Sequence, residues 1–215
     1  MEPNVSVSEY AKRNLILAAI RLLADYGVDS VSLRMINREA GSKNNSALHY
    51  HFGNKLGLVA AVDEFIQQHF DAVREPALAD LEARATGGDV TLREIMEVFT
   101  QAYVGIVEGY DWGYAAVRTL ARMEFDGDEV VHELLSKSAG VSVQRFAKLK
   151  RPLLSHLSPR QFKMRHNFVV NATIRGFADY RNLNQSYFGD LSVKNLRELA
   201  RFYTDMGVAV LTAPA

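Results

Sequence analysis

A short segment near the N-terminus concentrates the side chains that could bind nucleic acid. Residues 31–58 read VSLRMINREAGSKNNSALHYHFGNKLGL, and four basic residues there outnumber the single acid, Glu39. Asparagine can recognise adenine through two hydrogen bonds, while tyrosine, serine, histidine and basic side chains reach phosphates or base edges. Lys55 follows Asn54, a candidate helix cap, so an ammonium and free backbone N–H groups would together hold a phosphate. These residue types indicate contact with double-stranded DNA.

The apolar residues of this segment predict two short helices separated by a tight turn. Gly41 would permit the sharp reversal between them. The residues that would face inward at helical spacing are Leu33, Ile36, Ala40, Leu48 and Phe52. This arrangement is a helix-turn-helix, in which the second helix enters the major groove and neighbouring helix ends touch phosphates.

The rest of the chain is also predicted to be helical, which gives an all-α fold class. No run alternates apolar and polar residues as a strand would, and the five prolines are expected at helix ends. Cap signals are Ser6 or Ser8, Ser32, Asn54, Thr91 with Glu94, and Ser158 with Gln161. The predicted helices cover residues 9–26, 32–41, 45–51, 54–74, 91–108, 111–123, 128–150, 158–183 and 191–211. Residues 76–89 are expected to form a junction.

Composition limits the class of protein. The 215 residues carry 25 basic and 25 acidic side chains, so any DNA contact must come from a local patch. The absence of cysteine excludes disulfides, thiolate metal sites and cysteine nucleophiles. The polar, acidic N-terminus does not resemble a signal peptide, and the longest apolar run, residues 15–20, is too short to span a bilayer. We therefore expect a cytoplasmic protein with no membrane partner.

The histidines and the acidic residues of the chain allow two other interpretations of its chemistry. His49 and His51 could suggest a metal site, but residues two apart face different sides of a helix, so no metal and no cofactor is expected. No nucleophile turn, phosphate loop or H-E-x-x-H motif points to an enzyme. An enzyme or a helical protein-interaction module with a degenerate helix-turn-helix remains the alternative to a DNA-binding protein.

The C-terminal two thirds contain candidates for a ligand cavity and for a dimer interface. An apolar cavity with a few polar groups is predicted between helices, although core packing would explain each residue alone. Its candidate residues are Tyr103, Val107, Trp112, Arg118, Arg122, Phe146, His166 and Asn171. Gly105, Gly109 and Gly113 suggest close helix contacts or a kinked cavity wall. The last two helices are apolar on more than one face, which indicates either a dimer interface or burial by the body of the same chain. The candidate dimer residues are Phe168, Ile174, Phe177, Phe202, Met206 and Val210.

The N-terminal segment resembles the TetR family of transcriptional regulators. The resemblance covers roughly the first 60 residues and rests on Ala40-Gly41, then Leu48-His49-Tyr50-His51-Phe52-Gly53-Asn54-Lys55, then Leu58. It implies a DNA-binding domain at 1–53, a linking helix at 54–75 and a helical ligand-binding and dimerisation domain at 76–215. It also implies a homodimer that binds a palindromic operator. As a hypothesis, this dimer represses by occluding a promoter and is released by a small, largely apolar effector, and the sequence leaves repression and activation both open.

The resemblance also implies roles for individual residues. Ser32 and Arg34 would contact phosphate, and Tyr50, His51 and Lys55 would grip the DNA backbone. Base contacts would come from Asn45, Ser46, Ala47 and His49, with Lys43 and Asn44 in the same DNA-binding set. One extra residue between Gly41 and Leu48, and His49 in place of the commoner aromatic residue, leave the identity of the base-reading residues open.

Overall fold

The computed structural model describes residues 7–42, 46–138 and 140–214, and the described chain is helical with no strand. A 3-10 helix, Tyr180–Gln185, follows the ninth α-helix. None of the helices in the described part of the chain is both long and apolar enough to cross a membrane. The α-helices are α1 (Val7–Ser30), α2 (Leu33–Glu39), α3 (Ser46–Phe52), α4 (Lys55–Ala85), α5 (Leu92–Gly109), α6 (Gly113–Asp126), α7 (Glu129–Ser138), α8 (Gly140–Leu153), α9 (Pro159–Asp179) and α10 (Leu196–Thr212).

Local cap chemistry sets the helix ends of the N-terminal unit, as predicted. Gly27 interrupts the end of α1 with a φ of 76°, and Gly41 follows α2 with a φ of 63°, both in the left-handed region that favours glycine. The Ser32 side chain accepts from the N–H of Met35 and caps α2. Ser6, one of the two predicted caps at the start of α1, lies outside the described residues.

Helix α4 is longer than the sequence suggested. It was predicted to end near Arg74, with a junction at 76–89, but it continues through Pro76 to Ala85. Proline removes one backbone donor and costs helix stability, so another interaction must hold the second half of α4 in place. Arg145 on α8 supplies it, because its guanidinium pairs with Glu75 at 2.6 Å and with Glu82 at 2.8 Å.

Two further helix ends differ from the prediction. The helix predicted at 128–150 corresponds to α7 and α8, of which α8 continues through Pro152 to Leu153, while residue 139 between them lies outside the described residues. The last helix begins at Leu196, not near Leu191, because the Asn195 side chain accepts from the N–H of Glu198 and starts the helix there. The predicted capping boxes at Thr91 and Ser158 are both present.

The C-terminal body packs around α5, α6, α9 and α10. Helices α9 and α10 run antiparallel: Arg165 bonds to the carbonyl of Pro214 near one end, and Gly176 lies against the ring of Tyr203 near the other. A buried hydroxyl pair, Thr100 with Thr204 at 2.8 Å, joins α5 to α10. The body is therefore held by apolar packing with a few buried hydrogen bonds.

The N-terminal unit is attached to the body by α1 and α4. The hydroxyl of Thr119 on α6 donates to the carbonyl of Ile20 on α1 at 2.8 Å, and Arg118 pairs with Asp25 at 2.9 Å. Helix α4 starts directly after α3 and packs along α5. The glycine predicted to allow close helix contact, Gly105, does so here, because a Cβ on it would lie 2.6 Å from a methyl group of Val73.

Candidate DNA-binding surface and effector cavity

Helices α2 and α3 are anchored by their apolar residues, which leaves their polar side chains on the outside. Ile36 and Leu48 are buried, and Phe52 packs against the core at the end of α3. Gly53 then adopts a φ of 72° and turns the chain into α4. These contacts fix α3 as a short outer helix, as the helix-turn-helix prediction required.

The outer side of α3 presents Tyr50 and two histidines. The Tyr50 side chain is 82% exposed, which is unusual for a large aromatic residue that has no partner to cover it. His51 is half-buried, and its ring packs edge-on against the Tyr50 ring with 5.1 Å between the ring centroids. This contact restricts the orientation of the tyrosine. The Nδ1 atom of His49 lies 2.9 Å from the carbonyl of Gly53. That contact fixes the direction of an exposed imidazole.

Lys55 begins α4 beside the end of α1. Its ammonium donates to the carbonyl of Asp29 at 3.2 Å, and the Asn54 side chain caps the helix by accepting from the N–H of Gly57 at 2.9 Å. An ammonium has three donors, so Lys55 can hold Asp29 and an anion together. Ser32 and Arg34 are exposed at the N-terminus of α2. Both side chains are therefore free to contact phosphate, as the resemblance implied.

Five members of the predicted DNA-binding set lie wholly or partly outside the described residues. Lys43, Asn44 and Asn45 lie outside the described residues. Ser46 and Ala47 belong to α3, but their side chains also lie outside what the structure describes. The DNA-binding assignments of all five residues stay predictions.

The body contains a cavity of about 970 Å³ between α4, α5, α6, α7, α8 and α9. This volume is at the upper end of the range for small-molecule sites. Apolar and aromatic side chains form one part of the wall: Phe70, Phe99, Tyr103, Leu120, Leu135, Val143, Ala147, Pro159, Phe162, Val170 and Ile174. Polar and charged residues form the remainder: Gln67, Arg74, Glu124, His132, Ser136, Ser142, Gln144, Lys148, Arg151, Lys163, His166, Asn167 and Asn171.

Three of the eight predicted ligand-site residues line this cavity. They are Tyr103, His166 and Asn171, and Ile174, predicted for the dimer interface, lines it as well. Tyr103 stacks on Phe177 at 5.1 Å between ring centroids, and its burial raises the pKa of its hydroxyl. The cavity therefore brings together residues of α5 and α9 that are far apart in sequence.

The other five predicted residues have different surroundings. Phe146 and Trp112 are core residues: Phe146 packs edge-on against Phe99, and Trp112 stacks with Tyr110. Val107 also packs against the core. Arg118 and Arg122 pair with Asp25 and Asp126. On α6, Leu120 and Glu124 face the cavity instead, because residues two apart lie on opposite sides of a helix.

Helix α4 also contributes to the cavity, which was not predicted from the sequence. Gln67, Phe70 and Arg74 follow one another at spacings of three and four residues, so they occupy one face of α4. Arg74 is held by Asp71 and Ser142, which ties α4 to α8 at the cavity wall. This spacing was the signal in the sequence that could have identified the face.

Two titratable groups in the wall are strongly affected by burial. Burial and the nearby charge of Lys150 lower the pKa of His166 to about 4, so its imidazole is neutral at pH 7. Burial raises the pKa of the Glu124 carboxyl, with a smaller opposite effect from His132. Within the described residues, no three histidine, aspartate or glutamate side chains are grouped so that they could hold a metal ion.

The predicted dimer residues differ in how far they are exposed. Phe168 on α9 and Phe202 on α10 are 56% and 60% exposed, while Met206 and Val210 are half-buried. Phe177 is completely buried within the protomer, where it stacks on Tyr103, and so has no surface to offer to a partner. The exposed apolar residues of α9 and α10 thus mark a narrower face than predicted.

Comparisons with known proteins agree with this arrangement of a helix-turn-helix on a helical body. Residues 15–62 match the model of the bacterial regulatory proteins of the tetR family, and residues 97–207 match the tetracyclin repressor-like C-terminal domain. The chain therefore belongs to the TetR family of transcriptional regulators. It is a DNA-binding regulator with an N-terminal helix-turn-helix and a C-terminal helical domain. No curated protein sequence matches it significantly.

Solved structures share the fold at low sequence identity. The regulator FadR from Bacillus subtilis, in complex with stearoyl-CoA, superposes with a TM-score of 0.65 at 10% identity, covering 92% of this chain and 98% of its own. The fatty acid degradation regulator FadR from Bacillus halodurans gives 0.61 at 12% identity, with coverages of 94% and 99%. SmeT in complex with triclosan gives 0.54 at 19% identity, with 96% of each chain covered.

Proposed function

We propose that this protein is a homodimeric repressor that binds a palindromic operator through α3 and is released when a small, largely apolar effector enters the cavity. One observation carries the proposal. The cavity wall includes α4 and α6, and the same two helices hold the N-terminal unit through Lys55, Thr119 and Arg118. An occupant of the cavity therefore acts on the helices that position α3.

The DNA-binding half of the proposal rests on the exposed side of α3. Tyr50 and His49 face solvent there, and Arg34 and Lys55 lie at the N-termini of the flanking helices. Backbone N–H groups at a helix N-terminus and basic side chains both attract phosphate, while an outer helix of this size fits the major groove. These features support a helix that reads the groove, with phosphate contacts proposed on both sides of it.

The dimer is proposed to form through the exposed apolar side of α9 and α10. Phe168 and Phe202 leave large aromatic surfaces uncovered in the protomer, and a symmetric partner would bury them. Two α3 helices held about one turn of DNA apart, roughly 34–36 Å, would match the half-sites of a palindrome. Occupation of the promoter by such a dimer would exclude RNA polymerase.

The effector half of the proposal follows from differential binding. A ligand shifts a conformational equilibrium only to the extent that it binds one state better than the other. The cavity is large and partly aromatic, and the structural relatives SmeT and Bacillus subtilis FadR were solved with triclosan and stearoyl-CoA, two molecules with large apolar parts. We propose that an apolar occupant favours a spacing of the α3 helices that no longer fits the operator.

The first experiment is selection of bound fragments from random duplex DNA, followed by sequencing. We expect a palindromic motif whose affinity falls at least tenfold in Tyr50→Ala, since a hydrogen bond to a charged group such as a phosphate is worth about 1.5–3 kcal/mol. Tyr26→Ala is the matched control, because Tyr26 is also an exposed tyrosine, at 58%, but lies on α1. No enrichment at low salt, or equal losses in both variants, would overturn the proposal that α3 reads DNA.

The oligomeric state is tested by sedimentation. We expect the wild-type chain to sediment as a dimer and the double variant Phe168→Arg, Phe202→Arg as a monomer, because buried unpaired charges oppose association. Tyr10→Arg places the same charge on an exposed aromatic position of α1 and should leave the dimer intact. A dimer that persists in the double variant would rule out this face.

A further inference from the structure

Lys150 on α8 is a fully buried lysine whose ammonium has no hydrogen-bond partner in the described part of the chain. Its side chain is 0% exposed. The nitrogen lies 5.2 Å from the ring centre of Phe99 and 5.7 Å from that of Phe146. Aromatic faces attract a cation, but they do not replace the hydrogen bonds that an ammonium makes in water.

A second unpartnered polar group lies on the same wall. His166 on α9 is 7% exposed, and neither of its ring nitrogens has a hydrogen-bond partner among the described residues. Its ring stacks on Phe162, with 12° between the two planes. His166 and Lys150 are also close enough for the lysine charge to affect the imidazole. Two buried donors thus share one small region.

This region adjoins the cavity. Phe99 and His166 both line it, and the Lys150 ammonium lies 5.2 Å from the ring centre of Phe99 and close enough to His166 for its charge to act on the imidazole. A ligand group that reached past these two side chains would meet the ammonium and a ring nitrogen. An anion is the group that would satisfy both.

The remaining charges of the cavity favour the same kind of ligand. Four basic side chains line it, Arg74, Lys148, Arg151 and Lys163, against the single carboxylate of Glu124. Arg74 is occupied by Asp71, but the total remains positive. The aromatic and aliphatic part of the wall would cover an apolar chain.

Buried polar groups without partners reduce the stability of a folded protein, so they are uncommon unless a ligand or a function uses them. We propose that the effector is an amphipathic carboxylate, whose apolar body fills the aromatic part of the cavity and whose carboxylate accepts hydrogen bonds from Lys150 and His166. This inference rests on the proposed function, in that it assigns a chemical class to the effector of that cavity.

The test compares carboxylates with neutral molecules of the same length. The probes are octanoate, laurate and palmitate, each paired with the straight-chain alcohol of equal carbon number, and binding to the full chain is measured by calorimetry. We expect at least one carboxylate to bind ten times or more tightly than its alcohol. Lys150→Met, which keeps the length and apolar stem of the side chain, should reduce that carboxylate to the level of the alcohol.

The controls separate a binding role from a structural one. Lys150→Met should leave alcohol binding within threefold and should melt at the same temperature as the wild type or higher, because an unpaired amine is removed. His166→Phe, which keeps a ring against Phe162, should lose part of the carboxylate preference. Lys194→Met, an exposed lysine outside the cavity wall, should lose none of it.

Three outcomes would overturn the inference. They are equal binding of carboxylates and alcohols, a carboxylate preference that survives Lys150→Met, and no binding by any of the probes. The first would leave the proposed function standing, with a neutral effector. The proposed operator binding is tested by the DNA selection, which needs no effector, so its failure would be seen independently.

Discussion

The hydroxyl of Thr119 on α6 donates a hydrogen bond to the backbone carbonyl of Ile20 on α1, and this bond joins the helix-turn-helix unit to a helix of the cavity wall. Both residues are buried, so the bond is shielded from water. The next turn of α6 contributes Glu124 to the cavity. A displacement of α6 by a ligand would thus be transmitted to α1 through a specific contact and not through apolar packing alone.

Thr119→Val is predicted to weaken the coupling between effector and DNA. Valine keeps the shape of threonine but cannot donate, so we expect a loss of about 1 kcal/mol in the free energy of unfolding. The ratio of operator affinities without and with effector should also fall. Thr100→Val, which breaks the buried hydroxyl pair with Thr204 in the body, is the matched control for stability. If both variants change that ratio equally, the Thr119 bond has no special part in coupling.

Gly57→Ala is predicted to destabilise the start of α4. A Cβ at this position would lie 2.1 Å from the carbonyl oxygen of Phe52, so backbone must move to accept it. We expect a cost of about 1–3 kcal/mol, measured by urea denaturation, together with weaker operator binding. Gly109→Ala is the control: nothing lies within 4 Å of its Cβ, and alanine there should stabilise α5 by up to about 1 kcal/mol. Equal effects of the two changes would contradict the close approach of α3 and α4.

Lys150 predicts a pH dependence of the free energy of unfolding. Burial lowers its pKa from 10.5 to about 7, so between these values the folded state binds fewer protons than the unfolded chain. Above pH 10.5 Lys150 is neutral in both states and does not lower the free energy of unfolding. As the pH falls from 10.5 to about 7, only the unfolded chain gains the proton, so the free energy of unfolding decreases. The advantage of Lys150→Met over the wild type should therefore be larger at pH 7 than at pH 10, by more than about 1 kcal/mol. Lys137→Met, at an exposed position, controls for the loss of a surface charge. If the stability difference between Lys150→Met and the wild type is the same at pH 7 and pH 10, the Lys150 ammonium is not desolvated.

Arg145→Met is predicted to loosen the second half of α4. The guanidinium bonds both Glu75 and Glu82, which lie on either side of Pro76, and it holds their carboxyl pKa values below the usual range through these hydrogen bonds. Because the pairs are partly exposed, we expect a loss of only about 1 kcal/mol that shrinks as salt is raised. Hydrogen exchange should accelerate after Pro76 and remain slow at 58–70. Uniform acceleration along α4 would contradict this assignment.

Helix starts were predictable from sequence because caps are local. Ser32, Asn54, Thr91 and Ser158 each bond to a backbone N–H three residues further on, so a pattern of four residues contains the whole interaction. The left-handed conformation of Gly27 near the end of α1 was predictable for the same reason. The outer helix of the DNA-binding unit followed from the spacing of its apolar residues.

The continuation of α4 through Pro76 could not be predicted in this way. Its support comes from Arg145, 63 residues or more from the two glutamates in sequence, and no local pattern records that contact. The cavity was predictable only in part for a related reason. Apolar spacing identifies a buried face, but it does not state whether the face meets core, as at Phe146, or open space, as at Tyr103.

The unbroken run of α4 before Pro76 has a mechanical consequence. Helix geometry places the cavity residues Gln67 and Arg74 roughly 18–28 Å along the axis from Lys55. A rod of that length that tilts by about 5° at the cavity moves its DNA-side end by roughly 2 Å. In a symmetric dimer the two ends move in opposite directions, and the change in their separation doubles. In the proposed dimer, a tilt of about 5° at each cavity would then change the separation of the two α3 helices by roughly 4 Å.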